Sequence, residues 1–168
     1  MPFNYRNFPR VFALVVLLMG SLLPLAHAEE DDYDDDGGGR FAVASNAKWK
    51  TECGACHVAF PPRLLPAESW RVMMSGLDKH FGTDASLDAA TAREIGTFLE
   101  KQSGGGKHAF SGKPVLRITD TSWFKREHDE VPARVWKNPK VKTPANCTAC
   151  HLQAERGNYG ERNIRIPK

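Results

Sequence analysis

The chain has 168 residues, 26% of them charged, a formal net charge of +3, and four cysteines. That length allows one domain with a modest core of its own. A net charge so small carries no signature of nucleic-acid binding, which leaves small molecules, cofactors and other proteins as partners.

In chain order, Arg6 and Arg10 precede an apolar run from Val11 to Leu25 that ends in Ala26-His27-Ala28. This is the layout of an export signal with a small-residue cleavage site, and the run is too short to favour a permanent anchor. Residues 1–28 are therefore expected to be removed on export to the periplasm, leaving 140 residues with a net charge of +1. That sum hides a dipole. Residues 29–36 hold seven acids and no base, whereas residues 37–168 hold 21 bases against 13 acids. The acidic run with Gly37, Gly38 and Gly39 cannot bury apolar area, so 29–39 is read as a disordered tail and 40–168 as the single folded domain. A basic body can steer toward an acidic partner or make transient contact with an anionic membrane face, and the acidic tail can compete for the same surface.

From Arg40 onward short helices alternate with irregular stretches. Phe41, Val43 and Trp49 lead into a short helix carrying Cys53 to His57, ended by Phe60-Pro61-Pro62. A second helix begins at Pro66, with Trp70, Met73, Met74 and Leu77 at helical spacing and His80 continuing the stripe. Ser86 is expected to cap a third, with Thr91, Ile95, Phe98 and Leu99 facing inward and the glycines at 104–106 ending it. Residues 103–113 read as a linker. Val115 to Ile118 is a short extended piece, and Thr119 or Thr121 caps a helix with Trp123, Phe124 and His128, the last two sharing a face four residues apart. Residues 131–143 show no period. Pro144 is expected to start a helix bearing Cys147 to His151, and 154–168 to form an irregular covering strip. The fold class is mainly α, without a strand-rich region.

The chemistry lies in Cys53-Gly54-Ala55-Cys56-His57 and Cys147-Thr148-Ala149-Cys150-His151. In each, two thiols two residues apart can add to the vinyl edges of one porphyrin while the following imidazole reaches the iron. All four cysteines are consumed, which leaves the rival disulfide and zinc schemes less to explain. The expected cofactors are two covalently bound haem c groups, attached at Cys53, Cys56, Cys147 and Cys150. With two porphyrins as apolar plates, short helices and long loops suffice to make a core.

Of the five histidines after residue 28, His57 and His151 are the expected proximal ligands. His80 lies 23 residues after His57, His128 lies 23 residues before His151, and both sit on apolar faces. They are the expected distal ligands, with sequence proximity pairing His80 with the first haem and His128 with the second. His108, beside the glycines, reads as a surface residue. Met73 and Met74 compete as thioether ligands, but they share the stripe of Trp70 and Leu77 and read as core. Trp49, Trp70, Trp123 and Trp136 are expected to wall the pockets, and Arg117, Arg156 and Arg165 are candidate propionate partners near the second motif.

The runs Phe60-Pro-Pro-Arg-Leu-Leu-Pro66, Gly76-Leu-Asp-Lys-His80-Phe-Gly82, Arg117-Ile-Thr119, Arg126-Glu-His128-Asp-Glu130 and Ile164-Arg-Ile-Pro167, together with the two motifs, resemble the bacterial dihaem cytochrome c family. The acidic tail and Lys107-His108 fall outside that pattern. The resemblance implies a small helical periplasmic electron carrier whose haems are both bis-histidine ligated, rather than an enzyme. It also implies a redox partner, a small oxygen-binding monohaem cytochrome called sphaeroides haem protein, with a membrane b-type cytochrome as electron source. Two competing readings keep the haems: a peroxidase or oxyanion reductase with one open iron, and the dihaem subunit of a periplasmic nitrate reductase.

Overall fold

The computed structural model describes Phe41, residues 46–104 and residues 113–168. The expected leader, acidic tail and His108 lie outside these residues. All described residues belong to one unit, Asp35–Lys168. Among them no helix is long and apolar enough to cross a membrane.

The first half is built on three helices. Helix α1 (Ala47–Gly54) starts where the Asn46 side chain accepts the Trp49 N–H at 2.8 Å. Helix α2 (Ala67–Met74) follows Pro66, whose missing N–H costs nothing at a helix entrance. Helix α3 (Ala89–Gln102) is capped by Asp88, which accepts from the Ala90 and Thr91 N–H groups. Ser86 is not the cap: it lies in the preceding turn, its N–H on the Asp84 side chain, and the helix begins only after Asp88. Trp49, Leu65, Trp70, Ile95 and Leu99 form the core between these helices, with Met73 and Met74 packed against it as expected of core residues. The Trp70 indole donates to the Pro62 carbonyl at 2.7 Å, so the largest side chain of α2 is anchored at its polar end. Two exposed ion pairs, Lys48–Glu94 at 2.6 Å and Arg71–Glu100 at 2.9 Å, tie α1 and α2 to α3. Gly104 closes the unit: its N–H reaches the Leu65 carbonyl, and a Cβ there would strike the Arg63 carbonyl.

The second half is made of turns. Helix α4 (Ser122–Glu127) is capped by Thr121, and α5 (Ala133–Trp136) is a single turn in the stretch that showed no period. The remainder is 3-10 turns at Ile118–Asp120, Cys147–Ala149, Ala154–Arg156 and Glu161–Asn163. The expected helix from Pro144 does not form. The groups it would use are taken by the C-terminal segment, with Arg165 N–H on the Cys150 carbonyl at 2.8 Å and Leu152 N–H on the Asn163 carbonyl at 3.0 Å. Residues 154–168 thus do cover the second motif, as an irregular strip. Phe41 joins this half: its N–H donates to the Gly157 carbonyl, and its ring meets Trp123 and Tyr159 edge-on.

The architecture is helical with short elements, and only isolated bridges replace strands among the described residues. Nine hydrophobic side chains are buried among the described residues, a small aliphatic core for a domain of this length and one that leaves room for cofactor surface.

Candidate haem sites

Helix α1 ends at Gly54, so Cys53 is helical while Cys56 and His57 follow in the turn. The His57 Nδ1 donates to the Val58 carbonyl at 2.8 Å, which leaves Nε2 as a lone-pair donor. Helix α2 stops at Met74, earlier than the apolar stripe suggests, because Ser75 and Gly76 turn the chain. A 3-10 turn, Leu77–Lys79, then delivers His80 at its end, not on the helix face. The His80 and His57 rings lie 6.2 Å apart, centroid to centroid, with their planes 25° from parallel.

In the second half, Cys147 and Cys150 flank one 3-10 turn and His151 follows. His128 stands at the end of α4, its Nδ1 donating to the Phe124 carbonyl at 2.9 Å and its ring stacked on Phe124 at 4.0 Å. The His128 and His151 centroids are 6.1 Å apart, their planes crossed at 73°.

These two separations have a simple meaning. A metal–imidazole bond is about 2 Å long, and a ring nitrogen lies about 1.1 Å from its ring centre, as five bonds of about 1.33–1.4 Å dictate. Two imidazoles on opposite sides of one metal ion therefore have centres about 6.2 Å apart. Both pairs have that span. Each ring is also backed by an aromatic side chain: Phe60 behind His57 at 4.7 Å, Phe81 behind His80 at 4.9 Å, Phe124 behind His128 and Tyr159 behind His151 at 5.2 Å. Only Phe124 with His128 shows in the spacing, as a helical pair four apart; the other three stand one, three and eight positions from their histidines in turns.

Burial sets the protonation states. Before attachment of a haem it pushes the free Cys53 thiol up to about 11, with help from Glu52, and the free Cys147 thiol up to about 11. Burial also holds His80 and His151 below the ordinary histidine range, and the facing histidine adds to the effect in each case. A neutral imidazole is the form that binds a metal. Two buried polar atoms here lack protein partners among the described residues, the His151 Nδ1 and the Tyr159 hydroxyl.

The space around the motifs suits a large apolar group. A cavity of about 1150 Å³ runs from Trp49, Cys56 and His57 to Thr148 and residues 153–158, so both motifs border one space. That volume is somewhat above the usual range of ligand sites. A smaller cavity of about 330 Å³ is lined by Phe124, Lys125, His128 and Trp136. Trp49 and Trp136 thus line cavities as expected, whereas Trp70 belongs to the core and Trp123 packs on Phe41. Arg156 borders the larger cavity beside the first motif, Arg165 binds the second motif through its backbone, and Arg117 lies over Phe81 in the first half. Among the described residues, three of the five exposed large apolar side chains adjoin a facing histidine: Phe81 follows His80, Leu152 follows His151, and Ile164 bridges to His151.

The model of the family described as dihaem cytochrome c matches residues 49–159. This chain belongs to the dihaem cytochrome c family. Solved structures agree. A dihaem cytochrome c from Rhodobacter sphaeroides superposes with a TM-score of 0.63 at 41% identity, over 68% of this chain and 97% of that one. A second structure of the protein purified from Rhodobacter sphaeroides gives 0.60 at 43% identity, over 68% and 97%. A dihaem cytochrome type c from Shewanella baltica OS155 gives 0.65 at 37% identity, over 74% of this chain and 95% of that one. No curated protein matches the sequence. Cys53 with Cys56 and Cys147 with Cys150 are the C-x-x-C haem-binding motifs of this dihaem cytochrome c, which carries two covalent haem c groups.

Proposed function

We propose that this dihaem cytochrome c is a periplasmic one-electron carrier in which both irons are bis-histidine ligated, His57 and His80 on the first and His151 and His128 on the second. The observation that carries the reading is the pair of ring separations, 6.2 Å and 6.1 Å, each the span of two imidazoles across one metal ion. Bound there, each haem supplies one-electron redox chemistry, at a potential set by the axial ligands, burial and hydrogen bonding. The chain's own residues do the rest. The His57 and His128 Nδ1 bonds fix ring orientation and leave Nε2 as the donor. The aromatic backings hold the rings in place, and a second histidine on each iron leaves no position for peroxide or an oxyanion. That supports a carrier over the two-haem enzyme reading.

The basic second half suits an acidic redox partner, the oxygen-binding monohaem cytochrome implied by the resemblance being one such candidate and a membrane b-type cytochrome the electron source. Residues 1–28 as a cleaved export signal, 29–39 as a tail and 40–168 as the carrier domain complete the proposal. Carbon monoxide tests it. The dithionite-reduced protein is expected to leave its Soret band unmoved under CO, while His80→Ala and His128→Ala each open one of two haems. CO binding to half or more of the haem in the unaltered protein would replace the carrier with an enzyme reading.

A further inference from the structure

A metal-bound histidine is ordinarily oriented by a hydrogen bond from its other ring nitrogen. His57 and His128 have such bonds, to the Val58 and Phe124 carbonyls. Neither His151 nor His80 has one to any protein group among the described residues; the His151 ring lies against Tyr159 in the second site, while His80 stands at the end of a short turn. What touches it instead is Phe81, at 4.9 Å and edge-on.

Phe81 is itself an anomaly. Its φ is +50°, in the left-handed region that disfavours an aromatic side chain, and the next residue, Gly82, has φ +98°. The two form the tip of a tight turn closed by the Thr83 N–H on the His80 carbonyl at 3.0 Å. Asn or Gly would occupy the first position with less strain. The Phe81 ring is 47% exposed, so burial does not account for it either. Over it lies Arg117, from the other half of the chain, whose guanidinium carbon is 4.0 Å from the ring centre. Arg117 is not in any of the ion pairs among the described residues. The next residue, Ile118, packs against the core of Trp49, Leu65, Trp70, Ile95 and Leu99. The Arg117 backbone is thus next to a residue seated on the core, while its guanidinium covers a turn with a non-glycine residue at positive φ.

We propose that Arg117 is a positioning residue for the first haem site: by capping the Phe81 ring it holds the turn that aims the His80 imidazole at His57. The stack runs Phe60, His57, His80, Phe81, Arg117, with the cation as its outer stop. The second site has no such device, because the His128 ring is already fixed by its bond and stacking to Phe124. This inference rests on the reading that His80 closes the first iron.

The test uses the full chain matured with both haems, with haem content and far-UV helix signal confirming the fold of each variant. CO association with the reduced protein reports how often His80 leaves the iron. Arg117→Ala is expected to raise that rate about two- to fivefold at one haem, the range an exposed cation–ring contact supplies. Arg117→Lys, which keeps a cation over the ring, should fall between Ala and the unaltered protein. Phe81→Asn suits the turn's backbone and removes only the ring; it should raise the rate at least as much, and adding Arg117→Ala to it should change nothing further. Unaltered CO exclusion in Arg117→Ala, or additive effects in the double variant, would overturn the proposal while His80→Ala still opens the iron. If His80→Ala opens no iron, the ligand assignment fails first and the positioning role with it.

Discussion

In residues 46–104 the facing histidines stand on turns braced by three helices around a core of Trp49, Leu65, Trp70, Ile95 and Leu99, whereas residues 113–168 have only short helices and turns behind theirs. The charges divide in the same way. The first stretch has seven bases and seven acids, the second twelve bases and six acids. Yet the imidazole separations agree to 0.1 Å, 6.2 Å against 6.1 Å. One half reaches that span by packing side chains, the other by spending backbone hydrogen bonds on a covering strip. It follows that the second half depends more on its cofactor, since Phe124, Val135, Val141 and Ala154 are too few to organise 56 residues alone.

The largest expected effect tests that dependence. Changing Cys147 and Cys150 to Ser should remove one haem and strip amide-exchange protection from residues 113–168, leaving α2 and α3 protected. Changing Cys53 and Cys56 to Ser should remove one haem as well but leave much of α3 protected. Equal loss of protection in both variants would end the distinction. Next, Ile95→Ala should cost about 3 kcal/mol in denaturant unfolding, because Ile95 is fully buried at the centre of the helical core. Thr121→Ala, at the cap of α4, should cost about 1 kcal/mol, and by loosening α4 it should disturb the His128 spectrum more than the His80 one. The smallest effect concerns charge. Reversal of Lys137, Lys140 and Lys142 should slow oxidation by anionic hexacyanoferrate several-fold at low salt, and the difference should fade above about 0.1 M. Reversal of Lys48, Lys50 and Lys79 in the balanced half should do less.

The sequence pattern exposed the helical half well and the turn half poorly. Trp70, Met73, Met74, Ile95 and Leu99 recur at helical spacing because each packs into one core, and that spacing marks α2 and α3. Ser86 and Asp88 are equally able caps, so the pattern does not choose between them, and the helix start after Asp88 does. The helix expected at Pro144 failed for a reason outside its own residues, since its carbonyl and amide partners lie in the chain end. Periodicity likewise put His80 on a helix face when it sits at the end of a separate turn. The haem motifs were legible because their chemistry demands fixed spacing within five residues. Of the aromatic backings only Phe124 with His128 follows a helical period; the others sit in turns, and the Arg117 contact joins residues by tertiary fold alone.

The claim on which the account turns is that both irons are closed by paired imidazoles. Low-temperature electron paramagnetic resonance of the oxidised protein tests it most directly. The account predicts two low-spin signals of equal weight and no high-spin haem. The near-parallel rings of His57 and His80 should give the more rhombic signal, because aligned imidazole planes split the iron d orbitals; the crossed rings of His128 and His151 should give the more anisotropic one. A high-spin signal amounting to one haem per chain in the intact protein would contradict it.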